Sequence, residues 1–296
     1  MPIFKYLRVK PPAAPVREAA PPSLDRLAQD SHAPISLRQI NALPENARKR
    51  IYRSLLPPDL LAQFGIDPVT WNGPNREVHV RLKAEPESGS VHLSAKKAPD
   101  FPDDFLCIEL SDNHFNGIDL GLLLLNDPDR PRFSTDVDEE GRPTLFGTAR
   151  RNLGEEARAA QAGLSPAQVR ASLGASGVVI QHIEAFLSAL GQRAYFLEPL
   201  TYASAWVFER RGFAYVRGHK LMDDIHKEFQ PGGRLHQALD GGTPFRQPDQ
   251  WRTVRGRAWA IHDGILDAIG AKWDSLRMIK QIGRHAGVET FPGAVY

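Results

Sequence analysis

The chain has 296 residues, 42% of them hydrophobic and 24% charged, with a formal charge of +2. Those proportions are ordinary for a globular protein and exclude general disorder or a fibrous architecture. The charge is too mild to point to nucleic acid, which calls for a concentrated basic surface. No apolar stretch approaches the roughly 18 to 20 residues of a membrane-spanning helix. A single cysteine, Cys107, excludes an intramolecular disulfide, and its setting among Phe105, Leu106 and Ile108 reads as a small buried hydrophobe. With no secretory signal and almost no cysteine, the expected setting is the cytoplasm.

Residues 1–22 are rich in proline and alanine and read as an arm. Over 23–72, apolar residues at helical spacing, among them Ile40, Leu43, Ile51, Leu55 and Leu61, predict short helices separated by Pro44, Pro57 and Pro58. The period then changes. Residues 77–82 and 90–94 alternate apolar and polar side chains across a Gly-containing turn, which predicts a hairpin. The apolar runs 105–110 and 118–125 continue the sheet, and 133–137 and 144–146 read as two further strands joined by a turn over 138–142. A short helix is expected over 155–162.

Ser165-Pro166-Ala167-Gln168 carries the signature of a helix start, with a capping Ser, Pro at the first helical position and Gln to close the box. The pattern predicts a long helix from there to Gly191. A strand over 194–197, a helix capped by Thr201 and stopped by Gly212, and a strand over 213–216 follow. Beyond Lys220 the sequence predicts helices over 221–229, 234–239, 258–269 and 273–282. This C-terminal region, 221–296, is too short to bury Trp251, Trp259 and Trp273 in a core of its own and is expected to pack on the sheet.

The run Phe208-Glu209-Arg210-Arg211-Gly212-Phe213, closing the helix that Thr201 opens, resembles the fourth-helix signature of the acyl-CoA N-acyltransferase (GNAT) superfamily. The resemblance covers about half of the chain, roughly 75–220, and sets the expected acyltransferase-like domain at 73–220. It implies an α/β (α+β) fold with a mixed, mostly antiparallel sheet flanked by helices, and transfer of an acyl group from a CoA thioester to an amine. On that resemblance Thr148, Arg151, Gly154, Thr201 and Phe208 are the residues expected to meet acyl-CoA, with Arg151-Asn152-Leu153-Gly154 as the partial phosphate loop. Arg170 to Gly177 is a second partial copy, one residue out of step and inside the expected long helix.

Phe208 stands where many members of the family carry a proton-donating Tyr, which leaves Tyr202, Tyr215 or unassisted departure of the thiolate. Glu198, at the end of a strand where open α/β sheets place their ligands, is the expected base for the acceptor amine. Trp259 and His262 are candidates for the acceptor side of the cleft. The scattered histidines lack the i, i+4 spacing of a helical zinc motif, so no metal is expected. Two other classes stay open: a binding protein that has lost catalysis, and nucleic-acid binding by the C-terminal Arg and Trp residues, which their interleaved acids disfavour.

Overall fold

The computed structural model describes residues 35–147, 149–274 and 276–296. The arm over 1–22 and Thr148 lie outside them.

Ser36 opens the described chain with a reciprocal cap. Its hydroxyl accepts from the Gln39 N–H, and Gln39 Oε1 accepts from the Ser36 N–H at 2.8 Å, starting α1 (Leu37–Asn41). Two more short helices, α2 (Glu45–Tyr52) and α3 (Pro58–Gln63), are separated by proline as expected. Strands β1 (Val80–Lys83), β2 (Ser90–Ala95), β3 (Leu106–Asp112) and β4 (Ile118–Leu125) form an antiparallel meander. Alternation sets its two faces. Val91, Leu93, Ile108 and Leu110 are buried, whereas their neighbours His92 and Glu109 point to the other side.

A long excursion then carries α4 (Leu153–Gln161) before α5 (Ser176–Ala189), β5 (Ala194–Leu197), α6 (Tyr202–Arg210) and β6 (Ala214–Arg217). Helices α7 (His219–Glu228), α8 (Arg234–Gln237) and α9 (Val254–His262) precede β7 (Arg277–Gln281). The sheet has seven strands in the order β1-β2-β3-β4-β5-β7-β6, and β4 and β5 are its one parallel pair among the described residues. The fold is α/β (α+β), a mixed, mostly antiparallel sheet flanked by helices. One hydrophobic cluster joins α1, α2, α5, α6, α7 and α9 to the sheet.

Three local expectations are corrected. Residues 133–137 and 144–146 make no strands, only an isolated bridge between Val137 and Pro143. The Asp138 carboxylate captures the N–H groups of Glu140 and Arg142 and the Arg142 guanidinium, so this turn is satisfied locally, and Leu145, Phe146 and Gly147 are all left-handed. The long helix does not start at Ser165 but at Ser176. Gln168 does reach back to the Ser165 N–H at 2.7 Å, yet Ala167 is left-handed, and the carbonyls of Val169 and Ala171 accept from Phe133 and Asp127 at 2.8 Å each. Those bonds to the excursion replace helical ones.

The third correction concerns 273–282, which is strand β7 rather than a helix. It lies between β5 and β6 and is bonded to both. Met278 is fully buried, while Lys280 buries its stem and reaches Glu184 at 3.3 Å with its ammonium. The C-terminal region therefore supplies an interior strand. Its Trp259 belongs to a second, smaller cluster with Phe133, Ala159, Leu164 and Phe245, and donates to the Leu164 carbonyl at 2.8 Å.

Candidate functional site

Strands β4 and β5 pair at only two positions, Ile118↔Tyr195 and Asp119↔Phe196. Beyond them the strands share no ladder and β5 stops at Leu197, so their C-terminal ends bound an unpaired wedge of sheet. Gly121 is an extra residue on β4, since Leu110 faces Leu120 while Glu109 faces Leu122, and this bulge bends the strand at the root of the wedge. Strand β3 takes β4's other edge throughout. The backbone of β4 past Asp119 thus has no strand partner on the β5 side.

The chain at the end of β4 meets the loop that leads into α5. Asn126 bridges Ser172, and the Asp127 N–H donates to the Ala171 carbonyl. Gly174 is left-handed at φ +72°, and α5 then begins without a side-chain cap and without an acid in its first turn. Its first N–H groups have no intrahelical acceptor, and the positive end of the helix dipole gathers there. Arg211, just past the end of α6, lies over this turn and donates to Ser176 Oγ at 3.2 and 2.9 Å. A cation and a helix N-terminus thus converge at one spot, an arrangement that suits a phosphate. No known protein family, curated protein or solved structure matches this chain.

Glu198 lies two residues beyond the last β4–β5 pair. Its side chain is 62% exposed and accepts from Arg277 Nη1 at 3.2 Å, while Nη2 of the same guanidinium donates to Asp119 at 2.8 Å. Arg277 also sits over the Phe196 ring at 5.1 Å. Thr201 caps α6, its hydroxyl accepting from the Ser204 N–H and its own N–H donating to Ser204 Oγ at 2.9 Å. Phe208 packs edge-on against Phe213. Gly212 is left-handed at φ +84°, and a Cβ there would come within 2.8 Å of His285 Cα, so the glycine is required for space as well as for conformation.

Tyr202 is sealed in the core, and its hydroxyl has no hydrogen-bond partner among the described residues. Burial weakens it as an acid, pushing its pKa up to about 12, with the neighbouring Arg257 pulling the other way. Tyr215 donates to Glu209 at 2.6 Å, and burial together with that carboxylate raises it strongly. Neither phenol is placed to give up a proton at neutral pH.

Arg151 and Gly154 lie elsewhere, on the excursion. Gly154 is in the first turn of α4. Arg151 donates to Glu156 and to Asp263, both at 2.9 Å, and its guanidinium stacks on Phe245. The Glu156 carboxylate is buried, which would raise its pKa, but the His262 ring at 3.5 Å and Arg151 hold it below the usual carboxylate range. A group so depressed stabilises the fold fully above about pH 4.5, and that contribution fades as pH falls through its folded value. Arg151→Met takes a cation from the buried Glu156 and from the half-buried Asp263, which keeps Arg246. The expected loss is about 3 kcal/mol in urea denaturation, with CoA affinity unchanged.

The sheet face carrying His92 and Glu109 also holds Cys107. Its Sγ is 3.6 Å from His92 Nε2 and 3.9 Å from Nδ1, so it lies over the ring rather than in line with a lone pair. Burial pushes the thiol up to about 12. Cys107 is a packed side chain and no nucleophile. Among the described residues no group of His, Cys, Asp and Glu could hold a metal ion, and no helix is long and apolar enough to cross a membrane.

The sequence pattern put the α5 entrance, part of the second partial copy Arg170 to Gly177, inside a helix because the cap at Ser165 drew the helix start ten residues too early. The signal was Gly174-Ala175-Ser176-Gly177, small residues directly before a run of apolar ones at helical spacing.

Proposed function

We propose that this protein transfers an acyl group from a CoA thioester to an amine, and that its phosphate site is the N-terminus of α5 with Arg211. The observation that carries this reading is the edge of β4 left unpaired past Asp119, with an uncapped helix N-terminus close to the end of that strand. A pantetheine arm laid in the wedge would find the free backbone edge of β4, and its pyrophosphate would meet the N–H groups of Ser176 and its neighbours. The resemblance of Phe208–Phe213 to the acyltransferase helix motif points the same way. Arg211 supplies the cation that Arg151, committed to Glu156 and Asp263, does not.

In this reading N–H groups on the β4 edge polarise the thioester carbonyl. The acceptor nitrogen attacks the carbonyl carbon, the C–N bond forms as the C–S bond breaks, and the sulfur departs as a thiolate. Glu198 or water takes the proton of the acceptor ammonium. With Phe208 lacking a proton and both tyrosines unsuited to donate one, the thiolate leaves unassisted, a tolerable course for a group with the acidity of a thiol.

The same absence of an acid favours a second reading, a protein that binds acyl-CoA without turning it over. Titration calorimetry with acetyl-CoA, followed by assay of free thiol against a panel of primary amines, separates the two. Binding with thiol release supports the enzyme, and binding without release supports the binding protein. No heat at millimolar ligand rejects both. Arg211→Ala is expected to weaken CoA binding about tenfold, about 1.4 kcal/mol, with the melting temperature unchanged because the side chain is exposed.

A further inference from the structure

Tyr296 is held as a flat ligand would be. Its ring stacks on Trp206 of α6 with centroids 5.7 Å apart and planes 25° from parallel. The guanidinium of Arg255, in α9, lies 4.5 Å from the same ring, and the phenol oxygen is 3.2 Å from Ser165 Oγ. An indole platform, a cation above it and a hydroxyl at the rim make a slot for an aromatic ring, and bases stack on such surfaces by the same forces.

Arg255 differs from the other half-buried arginines around it. Arg151 and Arg246 are each fastened to carboxylates, whereas Arg255 forms no ion pair among the described residues. Its Nε is buried and has no hydrogen-bond partner. A cation left open beside a ring slot invites a phosphate or a ring nitrogen. Arg210 lies over the same indole at 5.7 Å but is paired with Glu289 at 3.6 Å, which leaves Arg255 as the slot's cation without a carboxylate partner among the described residues.

The occupant is lightly held. Residues before it are bolted down: Thr290 donates twice to Glu209, and Phe291 lies on Arg257. Toward Tyr296 the backbone makes a single bridge, Thr253↔Val295, with Val254 N–H donating to the Val295 carbonyl, and Val295 itself is exposed. The Tyr296 ring can leave the slot while Thr290 and Phe291 stay in place. Trp206 lies in α6 and Arg211 directly follows its last residue, so the slot and the phosphate site at α5 both adjoin this helix.

We propose that Trp206 and Arg255 form a binding slot for an adenine nucleotide, and that Tyr296 is a displaceable plug that competes for it. Assigning the nucleotide to the adenosine end of CoA rests on the acyl-CoA reading above, whereas a free nucleotide such as ADP has the same chemistry and would use the slot without it.

The test measures binding of CoA, 4′-phosphopantetheine and ADP to the full chain by calorimetry, for the parent, Tyr296→Ala, and Tyr296→Ala combined with Trp206→Leu. Tyr296→Ala should bind CoA and ADP about tenfold tighter than the parent, leave phosphopantetheine within twofold, and lose its gain when Trp206 is also replaced. Should Tyr296→Ala melt without cooperativity, Tyr296→Phe with Arg255→Met decides instead: the first should tighten ADP modestly by losing the Ser165 contact, the second should weaken it. Equal CoA and ADP affinities in parent and plug variant, or a gain that survives loss of Trp206, overturn the slot. If ADP tightens while neither CoA nor phosphopantetheine binds, the slot stands and the acyl-CoA reading falls. If phosphopantetheine and CoA bind the plug variant equally well, the acyl-CoA reading stands and the slot falls. No binding of any probe overturns both.

Discussion

A fragment ending at Phe229 is expected to collect in the insoluble fraction and to show no cooperative thermal transition. The reason lies in β7. It pairs with β5 from Ala194↔Gln281 to Leu197↔Met278 and with β6 on its other side, so its loss opens two strand edges inside the sheet. Met278, fully buried, goes with it, and with α9 go Ala258, Ala260 and Ile261, all packed into the same core as α6. Glu209 loses both donors from Thr290, and Tyr202 loses its charged neighbour Arg257. Glu209 keeps only Tyr215, and a buried charge that loses most of its partners costs about 3 kcal/mol, against a total stability of about 5–15 kcal/mol. Pelleting after expression and circular dichroism on heating are the measurements. A soluble fragment with a sharp melt would show that β5 and β6 close on each other without β7.

Much of this architecture was legible from residue spacing. The β1–β2 hairpin followed from alternation, because each of those strands has a buried face that repeats every second residue, whereas β3 and β4 followed from apolar runs, β3 burying Leu106, Cys107 and Ile108 in succession. Thr201 and Gly212 marked both ends of α6 because a cap and a left-handed stop are local needs met by few residue types. What failed failed where tertiary bonds outbid local ones. Ser165 to Gln168 forms half of its cap, but the carbonyls that would extend the helix serve Phe133 and Asp127 instead. In β7, Leu276, Met278 and Lys280 keep a period of two, yet a lysine on the inward side hides it. Only a strand slot beside Glu184 makes that lysine an inner residue.

The candidate site was legible in part for the same reason. Glu198 and Thr201 lie beside the wedge where the strand end and helix start put them, since each belongs to an element read correctly. Arg151 and Gly154 satisfied a spacing, but spacing carries no information about partners 112 residues away, and Asp263 takes the guanidinium. Arg211 escaped notice because it sits inside a motif whose glycine and phenylalanine have structural reasons to be there. Its place beside the start of α5 comes from its bond to Ser176, 35 residues earlier.

Glu209, in the middle of that motif, is expected to act as a bolt. It is only 1% exposed, and its two oxygens accept from Tyr215 Oη at 2.6 Å, Thr290 Oγ1 at 2.7 Å and the Thr290 N–H at 3.0 Å. Every bond it makes is as acceptor, joining α6, β6 and the segment that brings Phe291 onto Arg257. Replacing it with Ala leaves three donors buried without an acceptor, and the expected loss is about 3 kcal/mol. For a chain of this size that is about 6–12 °C in melting temperature. Glu209→Gln keeps the shape but turns one acceptor into an NH₂ group that faces a donor, so it should fall about 1–2 kcal/mol below the parent rather than match it. Arg257→Met is the contrasting case. Arg257 is equally buried but has no carboxylate; it donates to the Trp251 carbonyl at 2.7 Å and is stacked on Phe291, and burial lowers its own basicity. An apolar chain of similar length removes a desolvated charge along with its one strong bond, so this variant should melt within a few degrees of the parent. The order parent, Arg257→Met, Glu209→Gln, Glu209→Ala by calorimetric melting is the expected result. Glu209→Gln melting with the parent would mean that the Thr290 and Tyr215 donors do not depend on a carboxylate, and that the motif's glutamate has to be explained by something other than this bolt.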